Sequence, residues 1–258
     1  MCELFGVSGS RTINVDPYLS EFLSHSREHK NGWGIAQFYG NAVSLEKEPV
    51  AAWKSLYIRE RLRHRFEAKN MMAHIRLATC GEEKYENCHP FVQRDVTDRV
   101  WTLIHNGTIF DCEALNKYSY VQEGRTDSER ILCYIIDEID RRTSELGRAL
   151  NDRERFDVVD RVILEITPRN NKVNLILYDS SQFYVHTNMK NTLFQRYFEG
   201  TRFFSTVPLD DAPWEPVPFM QLVSYREGLP LYAGTVHGNE YIYNADAMKY
   251  IYLDAAGL

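Results

Sequence analysis

Met1-Cys2-Glu3-Leu4-Phe5-Gly6-Val7-Ser8-Gly9 opens the chain with a cysteine directly behind the initiator methionine. With Met1 removed, Cys2 carries a thiol and an α-amine on one residue. A free thiol titrates near ~8.5 and an α-amine near ~7.7–8.0, so the amine is partly neutral at cellular pH and can take the thiol proton. Nucleophile and base are then the same residue, as in N-terminal threonine hydrolases. A cysteine here is equally explained as a small buried hydrophobe, and one cysteine alone decides nothing.

Four further strings bear on the same chemistry. Ala73-His74-Ile75-Arg76-Leu77-Ala78-Thr79-Cys80-Gly81 ends a strand-like run in an arginine, with a hydroxyl three residues later. The planar guanidinium fork suits a carboxylate, although pairing with a structural acid is the plainer explanation. His105-Asn106-Gly107 sets an amide side chain beside a glycine amide, two donors able to converge on one oxyanion. Asn-Gly is also among the commonest turn dipeptides. Gly124-Arg125-Thr126-Asp127-Ser128-Glu129 opens the longest helical pattern, so Thr126 or Asp127 is first a capping residue. A carboxylate exposed there could also hold an ammonium group. The spacing of Asn87-Cys88-His89-Pro90-Phe91 assigns it no role. His74, Cys80, Cys88 and His89 are nominal zinc ligands, but no C-x-x-C pair or H-x3-H spacing accompanies them, so no metal is expected. His74, His89 or His105 could serve a cysteine-protease mechanism, yet no protease-type sequence surrounds Cys2.

The elements that must position these residues can be read from periodicity. Strands are expected over 3–8, 42–45, 71–77, 101–104, 172–178, 182–186, 202–205 and 220–225, and 32–39 reads as a glycine-flanked turn that continues as a strand. A short helix is expected from Pro17 to about Arg27, capped by Asp16. Apolar residues at Trp53, Leu56, Ile58, Leu62 and Phe66 fit a one-sided helix over 51–66. The spacing over 127–146 predicts another helix, stopped by Gly147, and 154–166 predicts a third, closed before Pro168. Between the strands over 71–77 and 101–104, 81–98 reads as a long polar loop of the kind that is often functional. The order strands, helix pair, strands suits an α+β sandwich with helices covering a strand-rich core. One domain is expected across 1–258, with 226–258 as an extension of unassigned role.

Composition excludes several classes. A chain of 258 residues with 44% hydrophobic and 26% charged residues has the makings of an ordinary globular core. A formal charge of −6 argues against a nucleic-acid binder. No apolar run approaches the ~20 residues that cross a bilayer, and the amino terminus lacks the pattern of a secretory signal. Five cysteines at 2, 80, 88, 112 and 133 form no disulfide framework, as expected of a cytoplasmic protein.

Taken in order, Met1-Cys2 with Phe5-Gly6-Val7, Gly32-Trp33-Gly34-Ile35-Ala36, Ala73-His74-Ile75-Arg76-Leu77-Ala78-Thr79, Asn87-Cys88-His89-Pro90-Phe91, His105-Asn106-Gly107 and Thr126-Asp127-Ser128-Glu129 resemble the class II glutamine amidotransferases. The run Phe203-Phe204-Ser205-Thr206-Val207-Pro208-Leu209-Asp210-Asp211 before Trp214-Glu215-Pro216-Val217 resembles their stand-alone bacterial members, so the likeness covers roughly 2–225. The resemblance implies the N-terminal nucleophile hydrolase fold, a four-layer αββα sandwich of two antiparallel sheets. It implies that Cys2 attacks the side-chain amide of glutamine, with Asn106 and Gly107 holding the oxyanion. It further implies that Arg76 and Thr79 grip the substrate α-carboxylate, that Asp127 pairs with its α-ammonium, and that no cofactor takes part. Better-known members often carry a large aromatic and a histidine where this chain has Leu77 and Cys80. No synthetase domain or phosphate-binding loop is present to receive ammonia, which points to a separate accepting enzyme. Two other functions compete: hydrolysis of another γ-glutamyl amide or peptide, and a catalytically silent binding domain.

Overall fold

Strand β1 (Glu3–Asn14) leads into helix α1 (Asp16–Ser24), the hairpin β2 (Trp33–Tyr39) and β3 (Ala42–Glu48), the short helix α2 (Leu56–Arg61), and β4 (Glu67–Ile75). Then come β5 (Phe91–Arg94), β6 (Val100–Thr108), α3 (Glu113–Asn116), α4 (Asp127–Leu146) and α5 (Asp152–Ile166). The chain returns to strands as β7 (Lys172–Tyr178), β8 (Phe183–His186), β9 (Phe194–Phe198) and β10 (Thr201–Ser205). It ends in β11 (Glu215–Pro216), β12 (Val223–Arg226) and β13 (Leu229–Ala233). This computed structural model describes residues 2–78 and 82–244.

The strands form two antiparallel sheets, ordered β11-β9-β10-β1-β4-β2-β3 and β13-β12-β8-β7-β6-β5. Side-chain alternation explains how they stack. Along β1, Phe5 and Val7 turn outward and pack with Leu19 and Phe22 of α1. Leu4, on the other face, meets Met72, Ile104, Ile176 and Phe204 between the sheets. Gly6 belongs to that inner face, where an added Cβ would lie 3.1 Å from Ile176, so the sheets approach closely at this point. On the far side Trp101, Leu103, Leu175 and Leu177 pack against Ile131, Ile135, Phe156 and Val159 of α4 and α5. Burying each such side chain stabilises the fold by roughly 1.5–3 kcal/mol. The result is the expected α+β sandwich of helices, sheet, sheet and helices.

α4 and α5 are well specified locally. The Thr126 hydroxyl accepts from the Glu129 amide at 3.2 Å, and Gly147 ends α4 in the left-handed region at φ 63°. Asn151 and Glu154 form a reciprocal capping box that starts α5.

Several expectations need correcting. The helix over 51–66 is only α2 with a preceding 3-10 turn, and Phe66 directly precedes β4, its amide donating to Asp16 Oδ1 at 2.8 Å. Asp16 therefore ties two elements together instead of capping α1, which starts after Val15 with no side-chain cap. The loop over 81–98 contains β5, and β6 runs on through His105-Asn106-Gly107, so the Asn-Gly pair lies in a strand and not in a turn.

Past Arg226, β13 joins the sheet edge and residues 234–244 cross the neighbouring ends. His237 N–H donates to Met220 O at 3.0 Å, Tyr241 N–H to Asn188 O at 2.8 Å, and Ile242 N–H to Asn170 Oδ1 at 2.8 Å. The Tyr241 ring stacks on Phe110 with centroids 6.3 Å apart. The rest of the expected extension lies outside the described residues. Among the described residues, no helix is long and apolar enough to cross a membrane.

Candidate active site

The start of β1, the end of β4, the end of β6 and the start of β7 all reach the same end of the sandwich, because their pairings are antiparallel. α4 begins beside them. Chemistry-bearing residues far apart in sequence therefore meet in one cleft, whose walls include Cys2, Arg76, Gly107 and Asp127 together with His89 and His105. Thr79 lies outside the described residues. Asn106 is not among the residues that line the cleft; strand alternation puts it on the opposite face of β6 from His105.

Cys2 is half-buried and its sulfur sits against the backbone of Leu77. Leu77 N–H donates to Sγ and the thiol donates to Leu77 O, both at 3.4 Å. Burial pushes the thiol pKa up, while the Leu77 hydrogen bond and the charges of Arg76 and Lys172 pull it down. The resting sulfur is a thiol, and a nearby base must take its proton.

Arg76 follows the last residue of β4 and is buried. Its backbone N–H donates to Gly32 O at 2.8 Å and its carbonyl accepts from Asn31 N–H at 3.0 Å. The guanidinium donates to Glu82 O at 3.1 Å. Asn31 Oδ1 also accepts from the Ala78 amide at 2.9 Å, so one asparagine holds the segment that carries both Arg76 and the peptide facing Cys2.

Asp127, the first residue of α4, accepts the Ile109 amide on Oδ2 at 2.7 Å. The neighbouring histidine determines what is left for Oδ1. His105 Nε2 faces Lys172 O at 3.2 Å and must donate, so neutral His105 accepts the Ser128 hydroxyl on Nδ1 at 2.9 Å. Ser128 then directs its proton to His105, away from Asp127 Oδ1 3.4 Å off.

His74, His89 and His105 are buried and uncharged. Burial drives His74 down to about 3 and His89 well below the usual range, and lowers His105 as well. The rings of His74 and His89 lie 4.0 Å apart, and His74 Nε2 faces His105 O at 3.3 Å. His105 has both nitrogens occupied, so it does not serve Cys2 as a base. Burial raises Cys88 to about 11, which makes it a poor metal ligand. Among the described residues, no group of three or more histidines, cysteines and carboxylates could hold a metal ion.

Gly107 has no room for a side chain: a Cβ there would lie 2.0 Å from Lys172 O and 2.1 Å from His105 Nε2. Asn106 is buried, its Oδ1 accepting from Lys172 Nζ at 3.1 Å. Its Nδ2 is buried with no hydrogen-bond partner among the described residues. Lys172 is itself buried, and desolvation lowers its pKa to about 8 against the pull of Cys2. Sequence reasoning missed both Lys172 and Asn31. Each reads as an ordinary residue at the start of a strand or in a turn, and neither belongs to a recognisable string.

A family model described as "Glutamine amidotransferases class-II" matches residues 1–207. The uncharacterized protein MJ1515 of Methanocaldococcus jannaschii is 36% identical over 166 residues, which is 64% of this chain and 45% of that protein. YafJ of Escherichia coli, provisionally named a glutamine amidotransferase, is 30% identical over 145 residues, covering 55% of this chain and 56% of YafJ. The chain thus spans about half the length of these relatives. Among solved structures, a predicted glutamine amidotransferase from Pseudomonas aeruginosa aligns with a TM-score of 0.61 at 20% identity, covering 90% of this chain and 100% of that one. Glutamine phosphoribosylpyrophosphate amidotransferase of B. subtilis aligns with a TM-score of 0.66 at 16% identity, covering 93% of this chain and 50% of that one. Both likenesses concern the fold.

Proposed function

This chain belongs to the class II glutamine amidotransferases, and from that membership we propose that it hydrolyses the side-chain amide of glutamine through a thioester on Cys2. The observation that carries the reading is the meeting of Cys2, Arg76, Gly107 and Asp127, from four distant segments, around one cleft.

In this reading Met1 is removed and the Cys2 α-amine is the base. It takes the thiol proton as sulfur attacks the amide carbon. Asn106 Nδ2 and the Gly107 amide receive the oxyanion. The C–N bond then breaks, the amine returns its proton to the leaving nitrogen, and ammonia departs from a γ-glutamyl thioester. Water attacks the thioester with the same amine as base, releasing glutamate and the thiol. Arg76, helped by Thr79, holds the substrate α-carboxylate, and Asp127 Oδ1 holds its α-ammonium. The chemistry calls for no cofactor or metal. We place the protein in the cytoplasm, with residues 1–258 acting as one unit and 226–258 as its extension, and a separate enzyme accepting the ammonia.

Leu77 supports a second reading, hydrolysis of another γ-glutamyl amide or peptide. It lines the cleft beside Arg76, where an aliphatic side chain stands in place of the large aromatic often found in better-known members. The test is glutamate release by the processed protein from glutamine and from a panel of γ-glutamyl amides, beside Cys2→Ala. Turnover of glutamine that vanishes in the variant is the expected result. Turnover of another γ-glutamyl compound alone moves the assignment to the second reading. Activity in a sample whose intact mass retains Met1 would sink the terminal-amine mechanism.

A further inference from the structure

Lys172 opens β7 with its side chain directed between the sheets, and only 3% of the residue is exposed. A buried lysine is expensive, since desolvation penalises the ammonium. What it does there follows from one contact. Its Nζ lies 3.1 Å from Asn106 Oδ1. An ammonium has donors and no acceptor, so the atom of Asn106 that faces it must be the amide oxygen. The NH2 group is thereby forced to the other side.

That NH2 group, Asn106 Nδ2, is buried and has no hydrogen-bond partner among the described residues. Leaving a buried donor unpaired costs roughly 1–3 kcal/mol. An unconstrained asparagine could turn its amide over, but here the flip would press NH2 against the ammonium. The same residue also backs the second proposed donor, because Lys172 O is the atom that a Cβ on Gly107 would strike at 2.0 Å.

We propose that Lys172 is a positioning residue: its ammonium locks the Asn106 amide so that Nδ2 faces the oxyanion that forms on the carbon attacked by Cys2. The inference rests on the reading of Cys2, Asn106 and Gly107 given above. In this role Lys172 acts by fixing a donor before the charge appears. The arrangement resembles a preorganised hole whose cost is met on folding and not during the reaction.

The test compares Lys172→Met, Lys172→Gln, Asn106→Ala and the Met/Ala double variant by steady-state kinetics on the preferred γ-glutamyl amide. Lys172→Met removes the donor and is expected to lower kcat about 100-fold, the scale of losing one oxyanion donor, with KM within about threefold. Adding it to Asn106→Ala is expected to lower kcat no further, because the two residues act as a unit. Lys172→Gln keeps an N–H donor without the charge and should retain kcat within about tenfold of the parent. A Lys172→Met loss of equal size with and without Asn106 would overturn the inference, as would a change confined to KM. Should Lys172→Met not fold, Lys172→Gln decides: a loss as large as that of Asn106→Ala refutes orientation. If neither variant folds, Lys172 is a structural residue and the inference falls. A parent protein that turns over no γ-glutamyl amide refutes the underlying function, a result separate from any of these.

Discussion

Arg76 and Asp127 present one cation and one anion to the cleft, the pair of charges that an amino-acid head group demands. Asp127 spends Oδ2 on the Ile109 amide and leaves Oδ1 toward the cleft. Asp127→Asn keeps an oxygen for that amide, so folding should survive while the charge is lost. Hydrogen bonds to charged groups contribute about 1.5–3 kcal/mol, so KM for glutamine should rise roughly 10- to 100-fold with kcat little changed. Kinetics on glutamine and on its analogue lacking the α-amine check this, because only glutamine should lose from the substitution. Cys2, Arg76, Asn106, Gly107 and Asp127 were singled out because their strings, each ambiguous alone, occur in the order of a known family, and all but Asn106 line one cleft. Lys172 was not, because the first lysine of a strand normally points to water, and only the pairing of β7 with β6 turns it inward.

α4 does more than cover a sheet, because its first turn delivers Asp127 and Ser128 to the cleft. Its cap is the Thr126 hydroxyl on the Glu129 amide. Thr126→Ala should destabilise the protein by about 1 kcal/mol, the usual cost of a lost N-cap. It should also raise KM, since a frayed first turn misplaces the Asp127 carboxylate. Urea unfolding beside kinetics checks both, and a stability loss with unchanged KM would uncouple the cap from the site. This helix, expected from Asp127 to about Leu146, is found over Asp127–Leu146, because a cap, an amphipathic stripe and a terminal glycine agree. The helix expected over 51–66 failed because its apolar spacing had no matching burial: Leu56 is 76% exposed and Trp53 46%. β9 and β13 escaped notice as short strands with exposed positions near sheet edges, where alternation is weak. β6 was read short because Asn-Gly signals a turn, and close backbone packing at Gly107 overrides that signal.

The molecule as a whole carries a group of buried neutral histidines, which governs its response to acid. His74 and His186 are each held down to about 3, and His89 and His105 are also lowered, in every case mainly by burial. His186 further faces His237 with 2.9 Å between Nε2 atoms, a contact that requires one unprotonated nitrogen. The unfolded chain binds protons at these rings near ~6.5 and the folded one does not. Stability is therefore complete above that pH and falls as pH drops from about 6.5 toward about 3, each ring contributing up to about 1.4 kcal/mol per pH unit. Urea midpoints at pH 7.5 and 5.0 check this; equal midpoints would mean that the rings are solvated or already charged.

The sheet order has a consequence for synthesis. β1 is made well before β10, yet it lies between β4 and β10, with Phe5 opposite Ser205. At about 5–20 residues per second, roughly 10–40 s separate the two strands during synthesis. Throughout that interval one edge of β1 has no partner. The removal of Met1 proposed above would have that interval in which to act before β10 closes over β1, an advantage that a chain refolded from denaturant would not have.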